Sequence, residues 1–335
     1  MTTPNDNNVN SAYVRKFSFR PFSGLRRGRI YRIWTASWHW WISEWRRSRT
    51  VKVLFGFLIF SFVITNLFLL ATKDLMLAAD PTLTPNGLLE TTIKDLVRNI
   101  ISFQGSFHMG SSGPGEGRGM SIGGLSIFVL IIVVLIGSGL ISDDLSNQTI
   151  EVYYSKMEKY EYLIAKIGAF MLAGTTLITI PFILEFILLL IGIGNVDIAQ
   201  ALPVLIFVIA FTQLIVITYG VVLLAFSSLS KRRLYTGLST FMMFFLISMI
   251  IPSLAIENGE VGFPILFDIL SLLIMISYLW EGVTNIQFSN FRDTFILDLQ
   301  NGLGVEAWMV YAMLGFVIFV GLAITTIQVY WRHNK

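Results

Sequence analysis

The chain is 335 residues long, with 54% hydrophobic and only 13% charged residues and a formal net charge of +3. Soluble domains carry about 25% charged residues, so this composition excludes an ordinary soluble enzyme. It also excludes a largely disordered chain, which would combine low hydrophobicity with high charge. The absence of cysteine excludes disulfides, thiolate metal sites and a cysteine nucleophile. We therefore expect an all-α membrane protein.

Long apolar segments predict the spans, because a helix needs about 20 mostly apolar residues to cross a bilayer. Six segments meet this requirement: 53–71, 122–141, 163–193, 202–228, 238–256 and 307–330. A seventh apolar run, 261–279, contains Pro264 and Asp268 and follows the fifth segment closely. We interpret it as part of a re-entrant or interfacial hairpin on the outer side, 257–305. The predicted fold is a polytopic protein with six transmembrane helices.

The distribution of lysine and arginine predicts the orientation of these spans. With the N-terminus in the cytoplasm, 19 of the 24 basic residues lie on the inner side and five on the outer side. Inner loops of membrane proteins are enriched in Lys and Arg, so both termini are expected in the cytoplasm. The expected location is the cell (plasma) membrane. Residues 1–29 are polar and basic and are expected to form a disordered cytoplasmic tail.

Residues 30–50 predict an amphipathic elbow helix that lies on the inner membrane surface before the first span; the alternative is a simple basic juxtamembrane anchor. Five of the eight tryptophans fall in this stretch, and most of its apolar residues share one broad face. Ser37 and Glu44 interrupt this pattern. Tryptophan favours the headgroup region and arginine favours anionic lipid. The residues predicted to anchor the chain at the membrane interface are Trp34, Trp38, Trp41, Trp45, Arg46 and Arg47.

The first outer loop, 73–121, is predicted to contain a helix over 86–103, where apolar residues repeat at three and four positions. Thr84 and Pro85 provide a helix start signal. The glycine-rich remainder lacks a phosphate-binding pattern. A soft-metal site there would have only His108, Met109 and Met120 as ligands, and this set is more typical of an ordinary loop. No metal site is predicted.

The inner loop between the second and third spans, 142–161, is short and carries charges of both signs. Within it, residues 148–154 are long enough for two helical turns. Such an element, held between two spans, would transmit force from a soluble partner. A solvated connector is the alternative, and the residues alone leave both interpretations open.

A family resemblance is carried by this loop. Residues 139–152, GLISDDLSNQTIEV, together with 160–166, YEYLIAK, resemble the signature region of ABC-2 type transporter permeases. Residues 226–233, FSSLSKRR, are similar to the basic turn that this family places between spans four and five. The elbow, six spans and outer hairpin occur in the family's order, so the resemblance covers about 30–335. It departs from the family at Asn147-Gln148, where glycine is usual, and at Lys156-Met157, where a Ser-x-Pro kink is common.

The resemblance implies that the loop contains a coupling helix, which docks on a separate ATP-binding subunit. The chain has no Walker motif, so ATP and Mg²⁺ would bind to that partner. This chain would be a non-catalytic subunit without a cofactor of its own. Family members pair two permease chains, here expected to be a homodimer, with two ATPases, and they lean to export or lipid flipping. The residues assigned to coupling are Asp143, Asp144, Gln148, Thr149, Ile150, Glu151, Tyr153 and Tyr154.

Two polar residues inside predicted spans are candidates for the translocation path. Glu185 lies deep in the third span, one turn after Pro181, and Gln213 lies in the fourth. Ionisable residues inside a membrane are costly and mark functional sites by default. The structural alternative is that Glu185 pairs with a polar group such as Gln213 or Tyr219. The sequence favours neither the path-lining nor the structural interpretation of Glu185.

Other function classes stay open at this stage. A permease-like subunit would transmit mechanical work to a periplasmic or extracellular partner. An ion-driven secondary transporter would use the carboxyl group of Glu185, although no internal repeat is visible. An intramembrane enzyme is disfavoured because the chain lacks the metalloprotease and serine-hydrolase motifs. Membrane lipid is an expected partner and nucleic acid is not.

Overall fold

The computed structural model describes residues 28–79, 83–101, 125–257, 266–282 and 305–331. All regular elements in these ranges are helical, and no strand occurs among them. The amino-terminal half, up to the end of the third predicted span, contains α1 Arg29–Arg47, α2 Arg49–Ala79, α3 Pro85–Asn99, α4 Leu125–Gly137, α5 Ser142–Ser146, α6 Thr149–Lys156, α7 Lys159–Gly174, a π-helical turn Thr175–Thr179 and α8 Ile180–Ile193. The remainder contains α9 Ile198–Leu229, α10 Arg233–Glu257, α11 Ile269–Trp280 and α12 Ala307–Trp331.

Five helices in the described part of the chain are long and apolar enough to cross a membrane. They are Arg49–Ala78, Ser126–Ser146, Lys159–Ile193, Ile198–Leu229 and Ala307–Trp331. Each contains or closely overlaps one of the predicted segments. The chain is thus an all-α, multi-pass membrane protein, as its long apolar segments predicted. The remaining predicted segment, 238–256, lies within α10, which is not among these five helices, so the six-span arrangement stays a prediction.

The third spanning helix contains a wide turn at its centre. The π-helical turn Thr175–Thr179 interrupts it, and Pro181 follows immediately. Proline lacks a backbone N–H and disturbs the regular α-helical ladder, which suits a local change of helical pitch. Just before the turn, Gly174 allows α9 to approach closely, since a Cβ atom there would lie 2.3 Å from the Val216 side chain.

Helix α9 is the centre of the bundle. It packs against α12, α7, α3, α10 and the π-helical turn. Its residues Phe211, Ile215 and Leu223 are completely buried. Gly321 in α12 also allows a close approach, because a Cβ atom there would lie 2.5 Å from the Val221 side chain. The hydrophobic core therefore runs along the length of α9.

The first outer loop contributes helix α3 to this core. As predicted, Thr84 caps the helix, with its hydroxyl accepting from the Gly87 N–H, and Pro85 occupies the first turn. The apolar side of α3, with Ile93 and Val97 fully buried, packs on α9 and α8. The glycine-rich part of the predicted outer loop lies outside the described residues.

The described part of the seventh apolar run, from Leu266 onward, contains the short helix α11. Asp268 caps it by accepting from the Leu270 and Ser271 N–H groups. Twelve residues rise about 18 Å, which is short of the roughly 30 Å of a hydrocarbon core. Helix α11 therefore does not cross the bilayer by itself. The predicted outer hairpin, 257–305, falls largely outside the described residues and stays a prediction.

Candidate functional site at the loop between the second and third spans

The inner loop folds into two short helices, α5 and α6. Asn147 and Gln148 join them, and Gln148 adopts a left-handed conformation with φ of 56°. The start of α5 is fixed to α9, because the hydroxyl of Ser227 accepts from the N–H groups of Ile141 (2.9 Å) and Ser142 (3.0 Å). The sequence segment that carries the family resemblance is thus a folded element, with one side exposed and the other packed against the helix bundle.

One side of this two-helix element is exposed. Ser146, Asn147, Gln148 and Glu151 are exposed. The Val152 side chain is 56% exposed next to them. This surface is polar around one apolar residue, which is a composition that suits contact with a soluble protein.

On the side packed against the helix bundle, the carboxylate of Asp144 makes a buried ion pair. Its Oδ2 atom lies 2.7 Å from Nζ of Lys166 in α7, and Lys166 is only 4% exposed. The same carboxylate accepts hydrogen bonds from the hydroxyls of Tyr162 (2.7 Å) and Thr149 (3.1 Å). Asp144 therefore ties α5 to the start of α6 and to the third spanning helix.

Aromatic rings surround the ammonium group of Lys166. The ring centroids of Trp40, Tyr153 and Tyr162 lie 5.5 to 5.7 Å from Nζ, within cation–π range. Burial, with a smaller effect of the nearby Asp144 carboxylate, raises the pKa of Tyr154 to about 12. The phenol of Tyr154 consequently stays neutral at physiological pH.

The carboxylate of Asp143 belongs to a second cluster, which is centred on Arg233 at the start of α10. The Arg233 guanidinium lies 3.3 Å from Asp143 and 2.5 Å from Glu44 of α1, and it also donates to the Leu135 carbonyl of α4. Arg47 of α1 approaches Asp143 at 3.4 Å. One arginine thus connects the loop with the end of the second span, the beginning of α10 and the amino-terminal helix.

The structure divides the eight residues assigned to coupling by their exposure. Gln148 and Glu151 are exposed. The other six are half-buried: Asp143, Asp144, Thr149, Ile150, Tyr153 and Tyr154. Of these six, Asp143 and Asp144 form ion pairs within the chain. The assignment of all eight to a partner contact stays a prediction, and only the exposed group faces outward.

The partners Lys166, Arg233 and Glu44 were missed as functional candidates in the sequence. One signal was present, because Ser37 and Glu44 interrupt the apolar face of the predicted elbow. Both are buried against the protein, Ser37 at 3% and Glu44 at 6% exposure. The Ser37 hydroxyl donates to the Ala165 carbonyl of α7 at 2.8 Å. A polar residue on an apolar face here indicates contact with a neighbouring helix.

The tryptophans of α1 also have two environments. Trp34 and Trp38 are 55% and 45% exposed and stack on each other with ring centroids 6.3 Å apart. Trp41 is 6% exposed and packs with Val51 and residues of α4 and α7, while Trp45 is half-buried. Of the predicted interface anchors, the exposed ones are Trp34, Trp38, Arg46 and Arg47.

The two path candidates lie in separate polar contacts within the bundle. Glu185 is 1% exposed and accepts a hydrogen bond of 2.5 Å from the amide of Asn66 in α2. Its other oxygen, Oε1, is buried without a hydrogen-bond partner. Gln213 donates to the hydroxyls of Thr175 and Thr179 at 3.0 and 2.9 Å and so braces the π-helical turn. Glu185 therefore pairs with Asn66 rather than with Gln213 or Tyr219.

The described residues contain no group of three or more His, Asp or Glu side chains that would hold a metal ion. The chemistry of the loop is that of ion pairing and surface contact. A search against protein-family models found no model that matches the chain, and a search of curated proteins found no match.

Proposed function

We propose that the chain is the membrane-spanning permease subunit of an ATP-driven ABC transporter, an exporter or flippase of the ABC-2 type. Five apolar helices long enough to cross a membrane support the multi-pass character on which the proposal depends. In this proposal α10 supplies the sixth span, both termini are cytoplasmic, and α1 is the elbow helix. The proposed location is the cell membrane.

The observation that carries the proposal is the construction of the inner loop. A coupling element must present a surface to a soluble motor and be attached firmly to the helices that move. The loop has an outward surface formed by Ser146, Asn147, Gln148, Glu151 and Val152. On its other side, Asp143 and Asp144 attach it to α1, α7 and α10 through ion pairs.

The proposed partners follow from this separation between an exposed surface and a side attached to the helices. Two ATP-binding subunits would carry ATP and Mg²⁺ and dock on the outward surface of the inner loop. A second copy of this chain would complete the translocation path between two permease subunits. This chain would then have no catalytic group and no resident cofactor.

The ion pairs give this proposal its mechanism. Because Arg233 contacts Asp143, Glu44 and the Leu135 carbonyl together, a push on α5 acts on three other helices at once. Through Asp144 and Lys166, the same push acts on the third span. Movement of a docked ATPase would therefore tilt the helices around the path.

The buried pair of Glu185 and Asn66 links the first and third spans in their apolar region. In the proposed transporter it is a polar position that the substrate path would reach when these two helices separate.

Purification of the tagged chain from its native membrane in mild detergent, followed by mass spectrometry, tests the proposal. We expect a near-stoichiometric protein with a Walker motif to accompany the chain. A matched preparation of the Val152→Asp variant should lose this protein, since it changes only the outward surface. Absence of any ATP-binding protein from the wild-type preparation, even after crosslinking, would contradict the proposal.

A further inference from the structure

Helix α1 has three distinct sides along its length. One side is buried, with Ser37 against α7 and Glu44 against Arg233 of α10. A second is apolar and exposed, with Ile30, Trp34 and Trp38 at 85%, 55% and 45% exposure. Exposed tryptophans next to apolar residues are typical of the boundary between hydrocarbon and headgroups. This second side is therefore the one that faces lipid.

The third side is cationic and lies beside the apolar one. At about 100° per residue, His39 and Arg46 fall on the same side of the helix, next to the side that carries Trp38. Both are exposed, as are Arg49 and Lys52 at the start of α2. Among the described residues, no carboxylate lies within 4.0 Å of the charged groups of Arg46, Arg49 or Lys52. These positive charges are thus not neutralised within the described part of the chain.

A shallow and largely open cleft lies on this side, formed on the surface of α1 alone. Its lining residues are His39, Ile42, Ser43, Arg46 and Arg47. The cleft combines two guanidinium groups, one imidazole and one hydroxyl with a single apolar side chain. Guanidinium groups bind phosphate oxygens in a bidentate manner, and a hydroxyl adds a further hydrogen bond.

We propose that this cleft binds the phosphate headgroup of an anionic membrane lipid. The headgroup would lie between Arg46 and Arg47, at the same membrane depth as the exposed rings of Trp34 and Trp38. Anionic lipids of the inner leaflet attract clustered Lys and Arg, and an interfacial helix holds such a cluster at headgroup depth. This site depends on the membrane placement of α1 and not on an ATP-binding partner.

The site also has a consequence for the inner loop. Arg47 approaches Asp143 at a distance of 3.4 Å, so it is shared between the cleft and the cluster around Arg233. A lipid phosphate in the cleft would compete with Asp143 for the Arg47 guanidinium. Lipid composition would thereby act on the attachment of the loop to α1.

Native mass spectrometry of the full-length protein in detergent tests the site. The protein is titrated with phosphatidylglycerol, which is anionic, and separately with phosphatidylcholine, which has the same phosphodiester but no net charge. We expect tighter binding of phosphatidylglycerol, and we expect Arg46→Gln to weaken it about fivefold. Arg46→Lys keeps the charge but loses the bidentate geometry. Its affinity for phosphatidylglycerol should lie between those of wild type and Arg46→Gln.

The matched control is Arg232→Gln, since Arg232 is an exposed arginine close to the same cluster but outside the cleft. It should leave phosphatidylglycerol binding unchanged. The proposal is overturned if Arg46→Gln binds phosphatidylglycerol as wild type does, or if both lipids bind equally. It is also overturned if inorganic phosphate displaces the lipid at equal concentration, because the cleft would then be a site for a soluble anion. Monodisperse elution of each variant confirms that it is folded.

Discussion

The buried ion pair between Lys166 and Asp144 gives the sharpest test of how the inner loop is attached. Lys166→Met keeps the length of the side chain and removes its charge, leaving the Asp144 carboxylate in a site where its side chain is only 13% exposed. Removal of one partner of a buried ion pair costs about 3–5 kcal/mol. We expect about 3 kcal/mol, the lower end, because hydrogen bonds from Tyr162 and Thr149 still satisfy the carboxylate.

Unfolding in a titration with sodium dodecyl sulfate, followed by tryptophan fluorescence, measures this loss of stability. The double variant Lys166→Met with Asp144→Asn removes both charges. Replacement of a whole buried ion pair by neutral groups is often nearly neutral, so the double variant should recover most of the stability. The two substitutions should therefore show a coupling energy of at least about 2 kcal/mol in a double-mutant cycle.

The control is Lys159→Met, at a half-buried lysine on the same helix whose ammonium lies over the Tyr330 ring. It should change the stability much less than Lys166→Met. If Lys166→Met is as stable as wild type, or if the double variant loses the sum of the two single losses, then Lys166 and Asp144 do not form a buried pair.

Three further predictions concern the neighbourhood of this pair and the bundle. Gly139→Ala should destabilise the protein by about 1–3 kcal/mol in the same titration. Its Cβ would lie 2.8 Å from Oδ2 of Asp143 and 3.1 Å from the Arg233 guanidinium, so their ion pair would have to shift; a stability equal to wild type would contradict the close approach. Glu185→Gln should keep its thermal stability, because the new amide oxygen still accepts from Asn66, but should alter transport in reconstituted vesicles; failure to fold would instead indicate a purely structural role. Glu151→Arg should reduce retention of the ATP-binding partner in a pull-down without changing the melting temperature, and unchanged retention would remove this residue from the docking surface.

Five of the six predicted spans coincide with helices long and apolar enough to cross a membrane, because each is a continuous apolar run in the sequence. The start of α3 was predictable from Thr84 and Pro85, whose side-chain and backbone chemistry favours the first turn of a helix. These are local signals, and the structure reproduces them. The start of α11 also has a local signal in the sequence, since Asp268 is a typical helix cap in the middle of an apolar run.

The contacts that attach the inner loop were not predictable in the same way. Arg233 and Glu44 are 189 residues apart, and Glu185 and Asn66 are 119 apart. Periodicity shows which residues share a side of a helix, but it does not show which other helix covers that side. The polar residues that interrupted apolar patterns, Glu44 in α1 and Asn66 in α2, were the usable signals.

Site-specific crosslinking at the outward surface of the inner loop tests the central claim most directly. Because the chain contains no cysteine, Val152→Cys introduces a unique thiol at a position that is 56% exposed. In native membranes, a short bifunctional thiol–amine crosslinker should join this variant to a protein with a Walker motif. The control is Ile198→Cys, which is 71% exposed and lies at the start of α9, far from the end of that helix where Ser227 contacts the inner loop. It should give no such product. An ATP-binding protein captured at Val152→Cys and not at Ile198→Cys is the result we predict, whereas equal capture at both positions or at neither would contradict the assignment of this loop to coupling.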